Sequence, residues 1–580
     1  MNKVIDTIKN NKWIHYGLII IIGIIISLPL YNVQISKTHD GELHFLRLLG
    51  TVDTLKIGQI PPLVNPNYCN GAGYAMNLFY APIVTYAPLI LKLFTNNYFS
   101  ALKVYGAICT ILSGITMYHF TYTVTKKKSI ALFASIFYIL APYKLANVYK
   151  RYAIGEFTAS IFIPFVFLGL YNLFEQDRKK HYYIAIGAIA IILSHTVSTL
   201  YIAIFSLIYV LVNIKKLKDK DIIKKCFING FFILIITMFF YIPLFEASSH
   251  AEYGITNNEI MGATGETAQT RTVNILEFIK YDTTREEGWE VTVVLGVITI
   301  ITFICTCIVN KFIEEKYKNI YLLSIIFAIV SLFMATYLFP WKIMPDILCE
   351  LQFPWRMIGY ATFFISFVCG INLYHLIKII TKEDKIKLLI TISVITIMII
   401  ESFGVLRNFF VDDYTWDEKY QGITMEDTKI SHKRINREYM PYKALKLQDT
   451  YVMDRDGKTH ILEGEGEILE ENNYGNLTDQ IKIKNVKSKA LLEFPYYYYV
   501  GYDITLQVEG KEYKFAPIES QNGYLACILE EDIEDGIIKV EYKGTILQKT
   551  SYIVSILGLI AFITYIIYEK RKNKDGERNV

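Results

Sequence analysis

Long apolar blocks separated by short basic segments organise this chain. A helix needs about 20 apolar residues to cross a bilayer. By that measure, spans are predicted near 14–33, 99–122, 129–148, 157–174, 182–194, 197–213, 227–246, 290–309, 319–338, 356–378, 386–404 and 551–568. The stretch 182–213 is too long for one helix and carries Ser194-His195-Thr196 at its centre, so it divides into two short spans meeting at a polar turn. Phe79–Phe94 is also apolar, but Pro82 and Pro88 interrupt it, and it reads as a re-entrant or surface-lying helix.

The basic residues test this map. Cytoplasmic loops of membrane proteins carry an excess of Lys and Arg. Twelve spans place Lys126-Lys127-Lys128, Arg178-Lys179-Lys180, the Lys215–Lys225 run, Lys316 and Lys318, Lys378–Lys387 and Lys570-Arg571-Lys572 on one face. The first apolar run, Ile14–Val33, is too long for a signal-peptide core and lacks a small-residue cleavage site, so it reads as a retained span. The expectation is a multi-pass membrane protein with both termini cytoplasmic. The opposite face receives loops 34–98, 149–156, 247–289 and 339–355, the His195 turn, and a sizeable polar region, 405–550.

That polar region changes period. Thr459–Leu462, Gln480–Ile483, Ala490–Phe494, Ile504–Val508, Tyr513–Phe515, Leu525–Leu529 and Ile537–Tyr542 alternate, with Gly457, Gly464, Gly466, Gly510 and Gly536 between them. Alternation broken by frequent turns predicts a small antiparallel sandwich. The expected organisation is therefore a transmembrane part, 1–404, a β-rich part, 405–550, and a last helix with a basic tail, 551–580.

Composition agrees with the pattern. The 580 residues are 53% hydrophobic and 14% aromatic, with a mean hydropathy of +0.30, which a soluble chain does not need. A net charge of +4 is too small to imply nucleic-acid binding. The eight cysteines are scattered without zinc-type spacing and read as small core residues. Cys69 and Cys349 fall in loops of the same face, where a bridge between them would be permitted.

Three polar segments stand out on that face. The first is His39-Asp40-Gly41-Glu42-Leu43-His44-Phe45-Leu46-Arg47, which follows the first span. A carboxylate beside histidine and arginine could act as a general base, bind a divalent cation or simply be paired, and a wet loop would look the same. Gly58-Gln59-Ile60-Pro61 and Asn70-Gly71-Ala72-Gly73-Tyr74 follow, with little side-chain bulk. The second segment is Lys150-Arg151-Tyr152-Ala153-Ile154-Gly155-Glu156. Here Arg151 and Glu156 either form a structural ion pair, or Arg151 faces an anionic headgroup, since a guanidinium grips phosphate with two parallel donors. The third is Gln352-Phe353-Pro354-Trp355-Arg356, where Arg356 stands just inside an apolar span and needs a partner or an anion. His195 is a lone histidine in a turn, more often hydrogen-bonded than catalytic.

The order of these motifs resembles the first outer loop of bacterial multispan proteins of the GT-C glycosyltransferase superfamily. The residues that carry the likeness are His39-Asp40, His44, Arg47, Gly58, Pro61, Gly71-Ala72-Gly73-Tyr74 and Phe79-Tyr80-Ala81-Pro82. Arg151-Tyr152-Ala153, Glu156, Ser194-His195, Gln352-Phe353-Pro354-Trp355-Arg356 and Pro495-Tyr496-Tyr497-Tyr498-Tyr499-Val500-Gly501-Tyr502 are similar to the "6-pyruvoyl-tetrahydropterin synthase-related", YfhO-like membrane branch. The pterin label is not an activity here, because the chain has no three-histidine zinc arrangement. The resemblance implies an α-helical polytopic membrane protein of about twelve transmembrane helices, with a small extracytoplasmic β-sandwich before the last one. It implies Asp40 as the catalytic base, Arg151 and Arg356 as phosphate-binding residues, and His39, Glu42, His44, Glu156 and His195 as supporting or metal-associated groups. It leaves open whether a divalent cation takes part. The implied partners are a polyprenyl-phosphate sugar donor, an envelope polymer or glycolipid acceptor and the lipid bilayer, with no nucleic acid. Two rival readings are a transporter or flippase of lipid-linked glycans, and a non-catalytic envelope assembly protein.

Overall fold

A computed structural model describes residues 11–176, 178–280, 292–407, 437–447, 457–473 and 477–578. Among the described residues, eight helices are long and apolar enough to cross a membrane: Lys12–Asn32, Tyr98–Thr125, Ile154–Glu175, Lys220–His250, Glu315–Ala335, Pro354–Ile380, Asp384–Arg407 and Ile546–Lys572. Lys128–Ile139 and Pro142–Tyr149, which meet at a 46° bend, reach that length only together, as a broken span or a re-entrant pair. Pro142 supplies the break, because its ring removes a backbone donor and fits only the first turn of the second piece.

The remaining three of the twelve predicted spans coincide with Tyr183–Ile192, Thr196–Val212 and Val297–Phe312, apolar helices of 10–17 residues and shorter than the other nine. The start of the predicted 290–309 span lies outside the described residues, as do parts of the predicted 405–550 region. The Pro-interrupted segment forms a fourth short apolar helix, Ile83–Lys92.

Burial sorts the helices into centre and periphery. Ile154–Glu175 is 83% buried and Pro354–Ile380 is 72% buried, so these two are central. Asp384–Arg407 and Ile546–Lys572 are only 17% and 22% buried and carry their apolar surface outward. Polar side chains join some of these helices. Ser555 of the last helix accepts from Phe239 N at 3.0 Å and donates to Ile235 O at 2.9 Å, inserting into a backbone rung of Lys220–His250.

Among the described residues, nine strands precede the last helix: β1 (His460–Glu463), β2 (Glu467–Asn473), β3 (Thr478–Val486), β4 (Leu491–Tyr497), β5 (Tyr502–Val508), β6 (Lys511–Phe515), β7 (Ile518–Glu519), β8 (Tyr524–Ile528) and β9 (Ile533–Tyr542). They form two antiparallel sheets, β1-β4-β8-β7 and β2-β3-β9-β5-β6. Alternation is clear in β3 and β9, where Ile481, Ile483, Ile538 and Val540 are buried between exposed or half-buried neighbours. β2 and the two-residue β7 were not predicted; β2 is an edge strand rich in carboxylates and amides.

The tyrosine run of β4 and its following turn docks these sheets on the helical part. Tyr497 N donates to Ala72 O at 2.8 Å, and Tyr253 Oη donates to Tyr498 O at 3.3 Å. Tyr499 stacks on Tyr253 at 5.7 Å and donates its hydroxyl to Tyr439 O at 2.9 Å. Cys69 and Cys349 are both buried and unbridged, so the permitted disulfide is not formed.

Candidate active site

Backbone pairing, rather than side chains, first brings the two leading segments together. Asp40 N donates to Arg151 O at 2.9 Å and His39 N to Lys150 O at 3.2 Å. The helix Gly41–Lys56 begins immediately after Asp40. A Cβ on Gly41 would lie 1.9 Å from Ile35 O, so only glycine lets this helix start against the preceding turn. Asp40 occupies the capping position without making a side-chain cap bond. Among the described residues its carboxylate has no hydrogen bond or ion pair, and it faces a cavity of about 290 Å³.

The Arg151 segment turns through Tyr152, whose φ of 51° is left-handed and costly for a non-glycine residue. The Tyr152 hydroxyl, anchored on Leu102 O at 2.5 Å, secures that turn. Glu156 then falls in the first turn of Ile154–Glu175, where the helix dipole favours a carboxylate. Gly155 sits against the His195 ring, since a Cβ there would be 2.7 Å from His195 Cδ2.

Glu156 is the centre of the charge arrangement. Its Oε1 lies 2.8 Å from Arg151 Nη2 and 3.1 Å from Arg356 Nε. Its Oε2 accepts from Asn147 Nδ2 at 3.1 Å and from the Tyr143 hydroxyl at 3.2 Å. Arg151 spends its other terminal nitrogen on Asn147 Oδ1 at 2.6 Å and lies over Trp355 at 4.5 Å. Burial opposes the charge on Arg151, but Glu156, Tyr143 and Asp40 together outweigh it and keep its pKa above the ordinary arginine value. Arg356 donates Nη1 to Leu351 O at 2.9 Å and to Gln352 Oε1 at 3.0 Å. Its Nη2 has no protein acceptor among the described residues. The Gln352 turn is also left-handed, with φ of 62°.

Burial raises the Asp40 carboxyl above the ordinary aspartate range; Arg151, Arg356 and Arg47 oppose that rise and Glu156 adds to it. His44 accepts from Arg47 Nη1 at 2.9 Å, and burial followed by Arg47 holds the imidazole neutral, well below its usual pKa. Arg47 is buried with its guanidinium 3.5 Å from the Tyr80 ring centre. His195 caps its helix, its Nδ1 accepting from Ser198 N at 3.2 Å. Burial lowers its pKa to about 4, so it is uncharged.

Asp40, His44, Arg151, Glu156, His195 and Arg356 all line the one cavity, although they come from four separate parts of the chain. His39 and Glu42 are not on its wall. Glu350, Glu438 and Tyr439 also line it, and none had been singled out from the sequence. Glu438 arrives on a short turn, Arg437–Tyr439, pinned by Gly254 N donating to Met440 O at 3.0 Å and by Tyr439 stacked on Phe79 at 5.7 Å. Burial, then Asp40, raises the Glu438 carboxyl above its ordinary range. The donor set does not fit a divalent cation. No three His, Cys, Asp or Glu side chains gather as ligands among the described residues, and two arginines share the space with Asp40.

No family model matches the chain. Over 273 residues, 45% of this chain, it is 28% identical to an uncharacterized protein of Lactococcus lactis subsp. cremoris (strain MG1363), and the match spans 44% of that relative. Among solved structures it is similar to the cryo-EM structure of arabinofuranosyltransferase AftD from Mycobacteria. That likeness has a TM-score of 0.42 and 10% identity, over 67% of this chain and 27% of the other. A mutant of the same enzyme gives a TM-score of 0.36 and 11% identity over 60% and 25% of the two chains. Neither likeness bears on the chemistry of the cavity.

Proposed function

We propose that this chain is an integral membrane glycosyltransferase of the GT-C type. It moves a sugar from a polyprenyl-phosphate donor to a hydroxyl of an envelope polymer or glycolipid, on the extracytoplasmic face. One observation carries the reading: Asp40, whose carboxylate is unpaired among the described residues, shares a cavity of about 290 Å³ with Arg356, whose Nη2 is uncommitted among them. That volume lies near the lower end of the roughly 300–1,000 Å³ usual for small-molecule pockets.

In the proposed step, the acceptor oxygen bonds to the anomeric carbon as the bond from that carbon to the donor phosphate oxygen breaks. Asp40 takes the hydroxyl proton, and the phosphate leaves with the bonding pair toward Arg356. Burial makes Asp40 more basic, which moves a carboxylate toward the pKa that suits a base. Arg356 is the direct phosphate contact. Arg151, whose terminal nitrogens are engaged, adds positive charge and fixes Glu156, which in turn orients Arg356. His44 and His195 are neutral positioning groups. No ion is required by this balance.

Replacing Asp40 by Asn tests the base. Membranes carrying Asp40→Asn should transfer sugar roughly 10²–10⁴-fold more slowly and accumulate lipid-linked sugar. Unchanged transfer in correctly inserted protein overturns the assignment. A flippase would instead tolerate Asn at this position and fail on Arg356→Gln. A cysteine placed beside Asp40 should label from outside the cell, and one at Lys127 should not.

A further inference from the structure

A second cavity, of about 520 Å³, lies at the other end of the helices. Tyr98–Thr125 is roughly 40 Å long at 1.5 Å per residue. The chain leaves the Asp40 end near Tyr98, turns at Lys126, and returns through Lys128–Tyr149 to Arg151, so the Lys126 turn is a full bundle length from Asp40. Lys126, Lys127, Lys128, Lys378 and Lys387 rim this second cavity. Its floor is apolar, made by Leu132, Phe133, Ile377 and Leu388.

The rim is only partly neutralised by protein. Lys127 pairs with Glu314, which also holds Lys316 at 2.7 Å, and Lys387 pairs with Asp384 at 3.0 Å. Lys126 and Lys378 form no ion pair among the described residues. Lys378 instead sits 4.5 Å from the Tyr374 ring centre, and Lys127 5.2 Å from it on the same rim. Beside the rim, Leu389 and Ile392 are 64% and 53% exposed on Asp384–Arg407, which carries its apolar surface outward. Cations, an apolar floor and a lipid-facing wall thus meet at one place.

We infer that this cleft binds an anionic phospholipid. The phosphodiester headgroup sits between Lys126 and Lys378, and an acyl chain runs along Leu389 and Ile392. A soluble anion would use the lysines but not the apolar wall. A zwitterionic lipid would use the wall but gain little from the lysines. Basic clefts between helices, next to the headgroup layer, satisfy both parts of an anionic lipid.

The full chain, reconstituted in phosphatidylcholine vesicles doped with spin-labelled phosphatidylglycerol, provides the test. The motionally restricted fraction of the label should exceed that of spin-labelled phosphatidylcholine. The double variant Lys126→Gln/Lys378→Gln should lose at least about tenfold of that selectivity, because each lysine near an anionic surface contributes on the order of a fivefold factor. The matching double Lys→Arg variant should keep it, which separates lost charge from lost fold. Unchanged selectivity in the Gln pair overturns the proposal. So does an equal loss on changing Lys215, Lys216 and Lys218 to Gln, which would mean diffuse attraction by the whole face. Displacement of the label by inorganic phosphate would identify a soluble-anion site and also overturn it.

Discussion

The two ends of the helical part both gather cations around a cavity, yet they treat charge in opposite ways. At the Asp40 end, Arg151 and Arg356 have side chains only 4% and 14% exposed, and one carboxylate, Glu156, holds both. At the other end, Lys127 and Lys387 are 28% and 23% exposed, and their pairings are single and peripheral. A guanidinium forks between fixed partners and is pre-organised by them, whereas an ammonium on a four-carbon stem remains a mobile, hydrated point charge. The first arrangement aims charge at one spot. The second attracts whatever anion lies in the membrane plane.

The sharpest way to break this comparison is to remove the carboxylate at the arginine end. Glu156→Gln leaves two buried guanidinium groups without a counter-charge, and losing one partner of a buried pair costs about 3–5 kcal/mol. The apparent melting temperature, followed by tryptophan emission from Trp355 beside Arg151, should fall steeply. The double lysine-to-glutamine change at Lys126 and Lys378 should leave it nearly unmoved, as surface substitutions usually stay within about 0.5 kcal/mol. Similar losses at both ends would mean that the lysines are structural as well.

A smaller effect is expected from Glu438, the carboxylate that faces Asp40 from the short turn before the sheets. Asp40 raises the Glu438 pKa, and the coupling is mutual, so a charged Glu438 makes Asp40 harder to ionise. Glu438→Gln should therefore lower the Asp40 pKa and move the acid limb of the transfer rate to lower pH. A limb that stays in place, or moves to higher pH, would show that Glu438 and Asp40 do not share the site's charge.

Much of the Asp40 cavity was legible because its groups were too polar for their apolar surroundings. Asp40, Arg151, Glu156, His195 and Arg356 each sit at the edge of an apolar run. The misses have geometric causes. Glu42 follows Asp40 by two residues at a helix start, and two helical steps of 100° carry a side chain to the far side, so Glu42 leaves the cavity. Arg47, one turn beyond His44, was within reach of the same argument, because residues three apart on a helix meet. Glu438 had no local signal: its place depends on the chain folding back to pair with Glu252 and Gly254. The bend at Pro142 was overlooked within a run that otherwise looked like one span, and β2 was hidden by the polarity of an edge strand.

The smallest effect concerns Asp40 itself and runs against the usual direction of mutational damage. Its folded-state pKa is raised, chiefly by burial, so the folded protein prefers the protonated acid. By linkage, the stability this group contributes is full below the unfolded aspartate pKa of about 4 and is lost as pH rises through the higher folded value. Asn at this position carries no such titration. Asp40→Asn should therefore be slightly more stable than the unaltered chain at neutral pH, by far less than Glu156→Gln loses. The difference should disappear on acidification below the ordinary aspartate range. A variant that is less stable at neutral pH would mean that Arg151, Arg356 and Arg47 stabilise the ionised carboxylate more than burial penalises it. The Asp40 end would then resemble the lysine end more closely, with its charge held in place by attraction and not tolerated at a cost for the sake of a reaction.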